Sequence, residues 1–165
     1  LSETTHALST AEYQEICHFI DSEADLLDRA QFEEWLGLFT EDGVYWVPAD
    51  HDQADHLSHV SLFYDDYGTL KTRVARLLHP GLHCQSPPSR TVRVVGRPLI
   101  SADQLGAVAR CKFVMVEDRV GAEKRLFAGT YEYTLRREGD RLKMARKKVV
   151  LTDCDQSFPA LTIPF

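Results

Sequence analysis

The sequence predicts an α+β fold in which N-terminal helices pack on one face of a curved, mainly antiparallel sheet. Two changes of rhythm predict it. Through most of the first 80 residues, apolar side chains recur every three or four positions, the period of a helix with one buried face. From about residue 90 onward they alternate, the period of a half-buried strand, and short Gly-containing turns join the runs. Length is the third observation. The chain has 165 residues, 44% of them hydrophobic, which suits one domain with a core of its own. We therefore read residues 1–165 as a single domain, with 1–9 as an N-terminal arm and 153–165 as a C-terminal tail.

The elements follow in order. Ser9 and Glu12 have capping-box spacing, and Tyr13, Ile16, Ile20, Ala24 and Leu27 then mark one face of a helix over about 11–29. Asp21, Asp25 and Asp28 form a second stripe on it. A shorter helix points Phe32, Trp35, Leu36 and Phe39 inward. Glu41-Asp42-Gly43 reads as a turn, and Val44–Val47 as a short strand ended by Pro48. Residues 49–59 read as a polar loop, Val60–Tyr64 as a strand, and 66–78 as a helix stopped by His79-Pro80-Gly81. Ser86-Pro87-Pro88-Ser89 is an extended connector leading into a strand at Arg90–Val95. Residues 105–117 alternate, with Leu105, Ala107, Ala109, Cys111, Phe113 and Met115 on one face. Gly121 marks a turn. Phe127, Gly129, Tyr131, Tyr133 and Leu135 line the next strand, Glu138-Gly139-Asp140 turns the chain, and 141–152 is the last strand. The tail is apolar but interrupted by Pro159 and Pro164, so it cannot continue a central strand. It docks on a neighbour or straps its own sheet.

Composition excludes several classes. No run of about 18 apolar residues is present, so no membrane span is expected. The polar, acidic start is no signal peptide. Four scattered cysteines, Cys17, Cys84, Cys111 and Cys154, form no CxxC pair and suit inert thiols in a reducing cytoplasm. The absence of Asn removes N-glycosylation. Net charge is −6, which argues against generic nucleic-acid binding. The charge is unevenly spread: sixteen Asp and Glu stand against the single cation Arg29 up to residue 70, and nine against eighteen Lys and Arg after it. Arg93, Arg97, Arg110, Lys112, Arg136, Arg146 and Lys148 fall at outward-leaning positions. That pattern predicts a cationic sheet face, suited to a charge-complementary contact with an acidic neighbouring surface.

The search for chemistry is mostly negative. Nucleophile elbows, G-x-G-x-x-G and Walker-type loops are absent. A Rieske-type iron–sulfur cluster needs C-x-H and C-x-x-H, but Phe19 follows two after Cys17 and Ser86 two after Cys84. His79, His83 and Cys84 do not make a convincing zinc set. A facial-triad iron site needs two His and a carboxylate converging on one metal face. His51 and His56, with Asp50, Asp52 and Asp55 nearby, lie on a loop that offers no regular frame. General acid–base chemistry stays open. Helices on a curved sheet enclose a pocket into which Asp25, Asp28, Tyr45 and His59 can project, and a buried carboxylate beside a Tyr or His moves protons near neutral pH. A stand-alone dehydratase or isomerase would use Asp28, Tyr45 or His59. A small-ligand-binding module would use the pocket without an acid–base pair.

An ordered series of fragments narrows this. EADLLD at 23–28, EEWLGLF at 33–39 and EDGVYWVP at 41–48 are followed by RVARL at 73–77, PPSRTVR at 87–93 and RREGDRLKMARKKVVL at 136–151. Across about residues 10–152 the chain resembles the small, β subunit of Rieske non-haem iron aromatic-ring-hydroxylating dioxygenases. The His- and Asp-rich loop at 50–59 departs from that pattern. The resemblance implies a cone-shaped fold of the nuclear transport factor 2 (NTF2-like) and scytalone dehydratase group. It implies a cytoplasmic complex of three α and three β chains, with the β chains as a trimeric base. The Rieske cluster and the mononuclear iron are then expected in the α subunit, with electrons from NADH through a reductase. The product would be a cis-dihydrodiol. On this reading the present chain contributes no catalytic, cofactor-binding or metal-binding residue, and touches neither nucleic acid nor membrane.

Overall fold

The structure, a computed structural model, describes residues 8–81, 86–102 and 106–165. Two helices come first, α1 at Thr10–Asp28 and α2 at Phe32–Leu36, then strands β1 at Phe39–Pro48 and β2 at Ser61–Asp66. Helix α3 spans Tyr67–Leu77, and five strands follow: β3 at Arg90–Val95, β4 at Leu99–Ala102, β5 at Ala107–Asp118, β6 at Arg125–Glu138 and β7 at Arg141–Leu151. The capping box forms as expected. Ser9 Oγ accepts from the Glu12 main-chain N–H, and the Ser9 N–H donates to Glu12 Oε2 at 2.9 Å. Ala30, in the left-handed region at φ 55°, breaks the chain away from α1. Asp66 caps α3 by accepting from Thr69 N–H at 2.8 Å, which holds its carboxyl below the usual range.

The strands form one seven-stranded sheet in the order β2-β1-β7-β6-β5-β3, with β4 also paired to β5. All pairs are antiparallel except β1 with β7. That exception bears on the sequence reading. Glu41-Asp42-Gly43 is not a turn: it lies inside β1 as a bulge, where the register with β7 jumps from Phe39–Met144 to Val44–Arg146. Thr40 Oγ1 donates to Asp42 Oδ1 at 2.7 Å and steadies the bulge. Phe39 accordingly belongs to the strand, not to the short helix. Strand β4 was not legible, since four residues are too few for a periodicity, and Leu105 lies outside the described residues.

One face of the sheet carries the core. Ala109, Cys111, Phe113 and Met115 on β5, Tyr131, Tyr133 and Leu135 on β6, and Val149 and Leu151 on β7 meet Ile16, Ile20 and Leu27 of α1 and Leu70 and Val74 of α3. Trp35 of α2 packs edge-on to Phe39 and Tyr45, at ring-centroid distances of 5.2 and 5.7 Å. The tail turns back on its own chain: Ile163, Pro164 and Phe165 are buried between the helices and the sheet.

The other face departs from the expected cationic surface. Arg93 points inward, and Val92 and Val94 point out, 65% and 69% exposed. Arg97 sits in the β3–β4 connection and donates to Tyr13 Oη at 2.9 Å. Arg110 and Arg146 both pair with Glu132, Lys112 donates to Thr130, Arg136 pairs with Asp42, and Lys148 donates to the Gln53 carbonyl while lying over the Trp46 ring. Each of the seven cations therefore has a partner in its own chain. The loop at 49–59 is also more ordered than its composition suggests. Buried Gln53 accepts from Ala49 N–H and donates to the Asp55 and His59 carbonyls.

Glycine placement gives a test. A Cβ on Gly129 would lie 2.1 Å from the Val150 carbonyl oxygen across β6–β7, whereas one on Gly121, at φ +82°, would meet nothing within 4 Å. Gly121→Ala should lower stability by about 1–2 kcal/mol, through backbone strain alone. Gly129→Ala should cost about 3 kcal/mol or more, because a central strand pair must separate. Urea unfolding of the two variants beside the parent measures the difference.

Candidate functional site

The space between α1, α3 and the concave sheet face is the natural place for a site, and it is lined by charge. Glu23 is fully buried on the apolar face of α1. Its carboxylate accepts from Trp35 Nε1 at 2.6 Å, Tyr133 Oη at 3.1 Å and Lys147 Nζ at 2.5 Å. Lys147, also fully buried, donates in addition to the Phe165 main-chain oxygen at 2.7 Å and lies 4.3 Å from the centroid of the Tyr131 ring. Burial, the largest cause, pulls the Lys147 ammonium down to about 8, against the raising pull of Glu23.

A second ion pair stands beside the first. Asp28, at the C-terminal end of α1, accepts from the Arg93 guanidinium, from the Arg93 main-chain N–H at 2.8 Å and from Thr91 Oγ1 at 2.9 Å. Arg93 Nη2 donates to the Pro164 carbonyl at 2.7 Å. Tyr45 Oη accepts from the Phe165 N–H at 3.0 Å. Burial raises the phenols of Tyr45, Tyr131 and Tyr133 well above their ordinary range. They stay protonated at neutral pH and serve as hydrogen-bonding groups rather than bases. What open space is left near Asp28, Thr91 and Arg93 is a cavity of about 140 Å³ roofed by Ile163 and Pro164.

The structure brings together two of the sequence-predicted acid–base residues and separates the others. Asp28 and Tyr45 both border the buried tail, Asp28 bound to Arg93 and Tyr45 to Phe165. His59 is exposed on the loop and does not reach the pocket. Asp25 is exposed beside Arg29. Of the loop residues, His51 contacts the Thr152 carbonyl at 3.0 Å, His56 stacks on Tyr64, and Asp55 accepts from Leu57 and Ser58 N–H. Among the described residues, no group of three or more His, Cys, Asp or Glu is placed to hold a metal ion. Cys84 and His83 lie outside them.

Sequence reasoning missed Glu23, Arg93, Lys147 and Tyr133 as a polar cluster. The signal was present. Glu23 stands three residues after Ile20 and four before Leu27, on the apolar stripe, and Lys147 alternates in phase with Val149 and Leu151.

Residues 22–156 match the family model described as "Ring hydroxylating beta subunit". The chain belongs to the ring-hydroxylating β-subunit family. Its relatives include the small oxygenase component of the p-cumate 2,3-dioxygenase system of Pseudomonas putida, 33% identical over 78% of this chain and 73% of that one. The small subunit of 2-halobenzoate 1,2-dioxygenase of Burkholderia cepacia is 32% identical over 86% and 88%. Among solved structures, the β subunit of the benzoate 1,2-dioxygenase of Burkholderia mallei superposes with a TM-score of 0.73 at 25% identity, covering 90% of this chain and 93% of that one. An NTF2-like protein from Novosphingobium aromaticivorans shares the fold, with a TM-score of 0.56 at 20% identity over 85% and 81%. The expected NTF2-like α+β fold is thus the observed one. The chain is a subunit of an oxidoreductase system and has an α subunit as its partner. Among the described residues no helix is long and apolar enough to cross a membrane.

The buried pair makes a quantitative prediction for this β subunit. Lys147→Met strands the Glu23 carboxylate and should cost about 3–5 kcal/mol. Adding Glu23→Gln removes the stranded charge and should restore more than half of that. Chemical denaturation of the parent, both singles and the double completes the cycle.

Proposed function

We propose that this chain is the structural β subunit of a complex that adds both atoms of dioxygen to an aromatic ring, giving a cis-dihydrodiol, and that it supplies no catalytic residue itself. The observation that carries the reading is the occupied interior. The place where a cone-fold enzyme would bind substrate is filled by Ile163, Pro164 and Phe165, and the charges around it are paired with one another. A general acid or base must reach a substrate proton, and Tyr45 and Asp28 reach main-chain and side-chain partners instead.

The donor set does not fit the cofactors of such a complex. The C-x-H and C-x-x-H pattern of a Rieske cluster is missing from the sequence. His51 and His56 are engaged with Thr152 and Tyr64. The reading therefore assigns the Rieske cluster and the mononuclear iron to the α subunit, with NADH delivering electrons through a reductase. It takes residues 1–165 as one domain with no site residues for catalysis, cofactor or metal. It sets three such chains as the base of an α3β3 assembly in the cytoplasm.

Two measurements test this. The purified β chain should hold substoichiometric iron and show no Rieske absorbance, while the α–β complex shows both. In that complex, Asp28→Asn and Tyr45→Phe should leave turnover within about threefold of the parent, whereas removing a general acid or base costs about 10²–10⁴-fold. A loss of that size with assembly intact, checked by size exclusion, would overturn the reading.

A further inference from the structure

Two groups of apolar side chains stand in water at opposite edges of the sheet, which runs from β2 at one side to β3 at the other. On the outer face of β3, β5 and β6, the cross-strand pairs Val92–Val116, Val94–Val114 and Val116–Leu126 make one continuous patch. Val92, Val94 and Leu126 are 65%, 69% and 68% exposed, and Val114 44%. Its border is mainly cationic. Arg90 precedes Val92 and Lys112 precedes Val114 on the same face, whereas Asp118, opposite Arg90, pairs with Lys124. Scattered surface valines need no explanation, but a contiguous apolar patch across three strands marks a contact surface.

The second group stands on the loop at 49–59 and on the strand it enters. Leu57 and Val60 are 85% and 86% exposed. Val60 leads into β2, where His56 stacks on the half-exposed Tyr64 ring at 3.9 Å. The loop is built to hold these side chains out. Gln53 ties Ala49 to Asp55 and His59 from the inside, and Asp55 accepts from the Leu57 and Ser58 N–H groups. Ser58, through its hydroxyl and its N–H, and then Leu57 hold the Asp55 carboxyl below its ordinary range, so it is charged at neutral pH. Asp50 and Asp52 are exposed on the same loop. The border of this second patch is therefore acidic. Because the loop is already ordered, contact through it escapes much of the entropy cost of immobilising a flexible segment.

We propose that the Leu57–Val60 loop of one copy of this chain docks on the valine patch of the next copy. Apolar surface meets apolar surface, and the aspartates of the loop face the cations at the border of the patch. Pairing either patch with itself sets like charges against each other, so only the mixed pairing is complementary. Edge-to-edge strand pairing is not open at β3, because the Arg93 main-chain N–H is taken by Asp28. A contact between two different surfaces is heterologous: each copy receives a loop and offers one. Association then runs past two copies and closes into a ring when the rotation allows. The proposal rests on the reading of this chain as a self-associating structural base, and it assigns the surfaces that meet there.

Sedimentation velocity compares the full chain, its Val94→Glu variant, its Leu57→Glu variant and an equimolar mixture of the two variants. Both positions are exposed, so the urea midpoints of the variants should match the parent's. Val92→Glu takes the place of Val94→Glu if that variant does not fold. The parent should sediment as a closed oligomer, three copies of the 18.8 kDa chain on the reading above. Each variant alone should associate at least about tenfold more weakly, because a carboxylate would be buried against apolar surface. The mixture should give a dimer and nothing larger, since the intact loop of the Val94→Glu chain fits the intact patch of the Leu57→Glu chain. The proposal is overturned if the variants assemble like the parent, or if their mixture stays monomeric when each alone does. It is equally overturned if the parent is monomeric, or if the variants keep self-association and lose the α subunit instead, which would give these faces to that partner. The subunit reading itself fails on iron content and on turnover of the assembled complex, so the two are told apart.

Discussion

A carboxylate with no path to water, that of Glu23, organises the interior of this subunit. Stripping an ion of its hydration costs several kcal/mol even after relaxation, so every element around it has to contribute a donor. Trp35 comes from α2, Tyr133 from β6 and Lys147 from β7. Lys147 in turn needs a second acceptor and takes it from Phe165. Two helices, two strands and the tail are thereby fixed relative to one another by directional bonds, on top of an apolar core that by itself prescribes no single register.

The same logic accounts for the charge division along the chain. Acidic residues of the first half meet cations of the second within the molecule: Glu15 with Arg137, Glu23 with Lys147, Asp28 with Arg93, Asp42 with Arg136 and Asp65 with Arg73. An asymmetry that looks like two surfaces awaiting neighbours is in part a fold closing on itself. The exposed pairs among these contribute little stability. The two buried ones select which helix face and which strand phase turn inward.

Much of the fold was legible because it rests on period. The amphipathic stripe of α1, its capping box, the alternation of β5 and β6 and the turn glycines at 121 and 139 are local patterns, and the structure repeats them. What period cannot show is pairing. The bulge at Glu41-Asp42-Gly43 depends on β1 lying parallel to β7, a partner about a hundred residues away. Arg93 was expected outside because charge usually is, and only the position of Asp28 across the interior explains its burial. The site was less legible than the fold for the same reason. Asp28 and Tyr45 were found as polar residues on predicted inward or striped positions, while Glu23 and Lys147 stood in apolar phase and were passed over. A charged residue on an apolar stripe is itself the signal.

The parallel contact between β1 and β7 carries a consequence for how the chain comes into being. The first strand made finds its sheet neighbour in the last, and Glu23 finds Lys147 124 positions later. Contacts so distant in sequence raise contact order and slow folding. At synthesis rates of about 5–20 residues per second, the apolar stripe of α1 is finished several seconds before the strands that cover it. During that interval the nascent half-chain presents an unburied helix face, and the finished subunit is available for assembly only after β7 has joined the sheet.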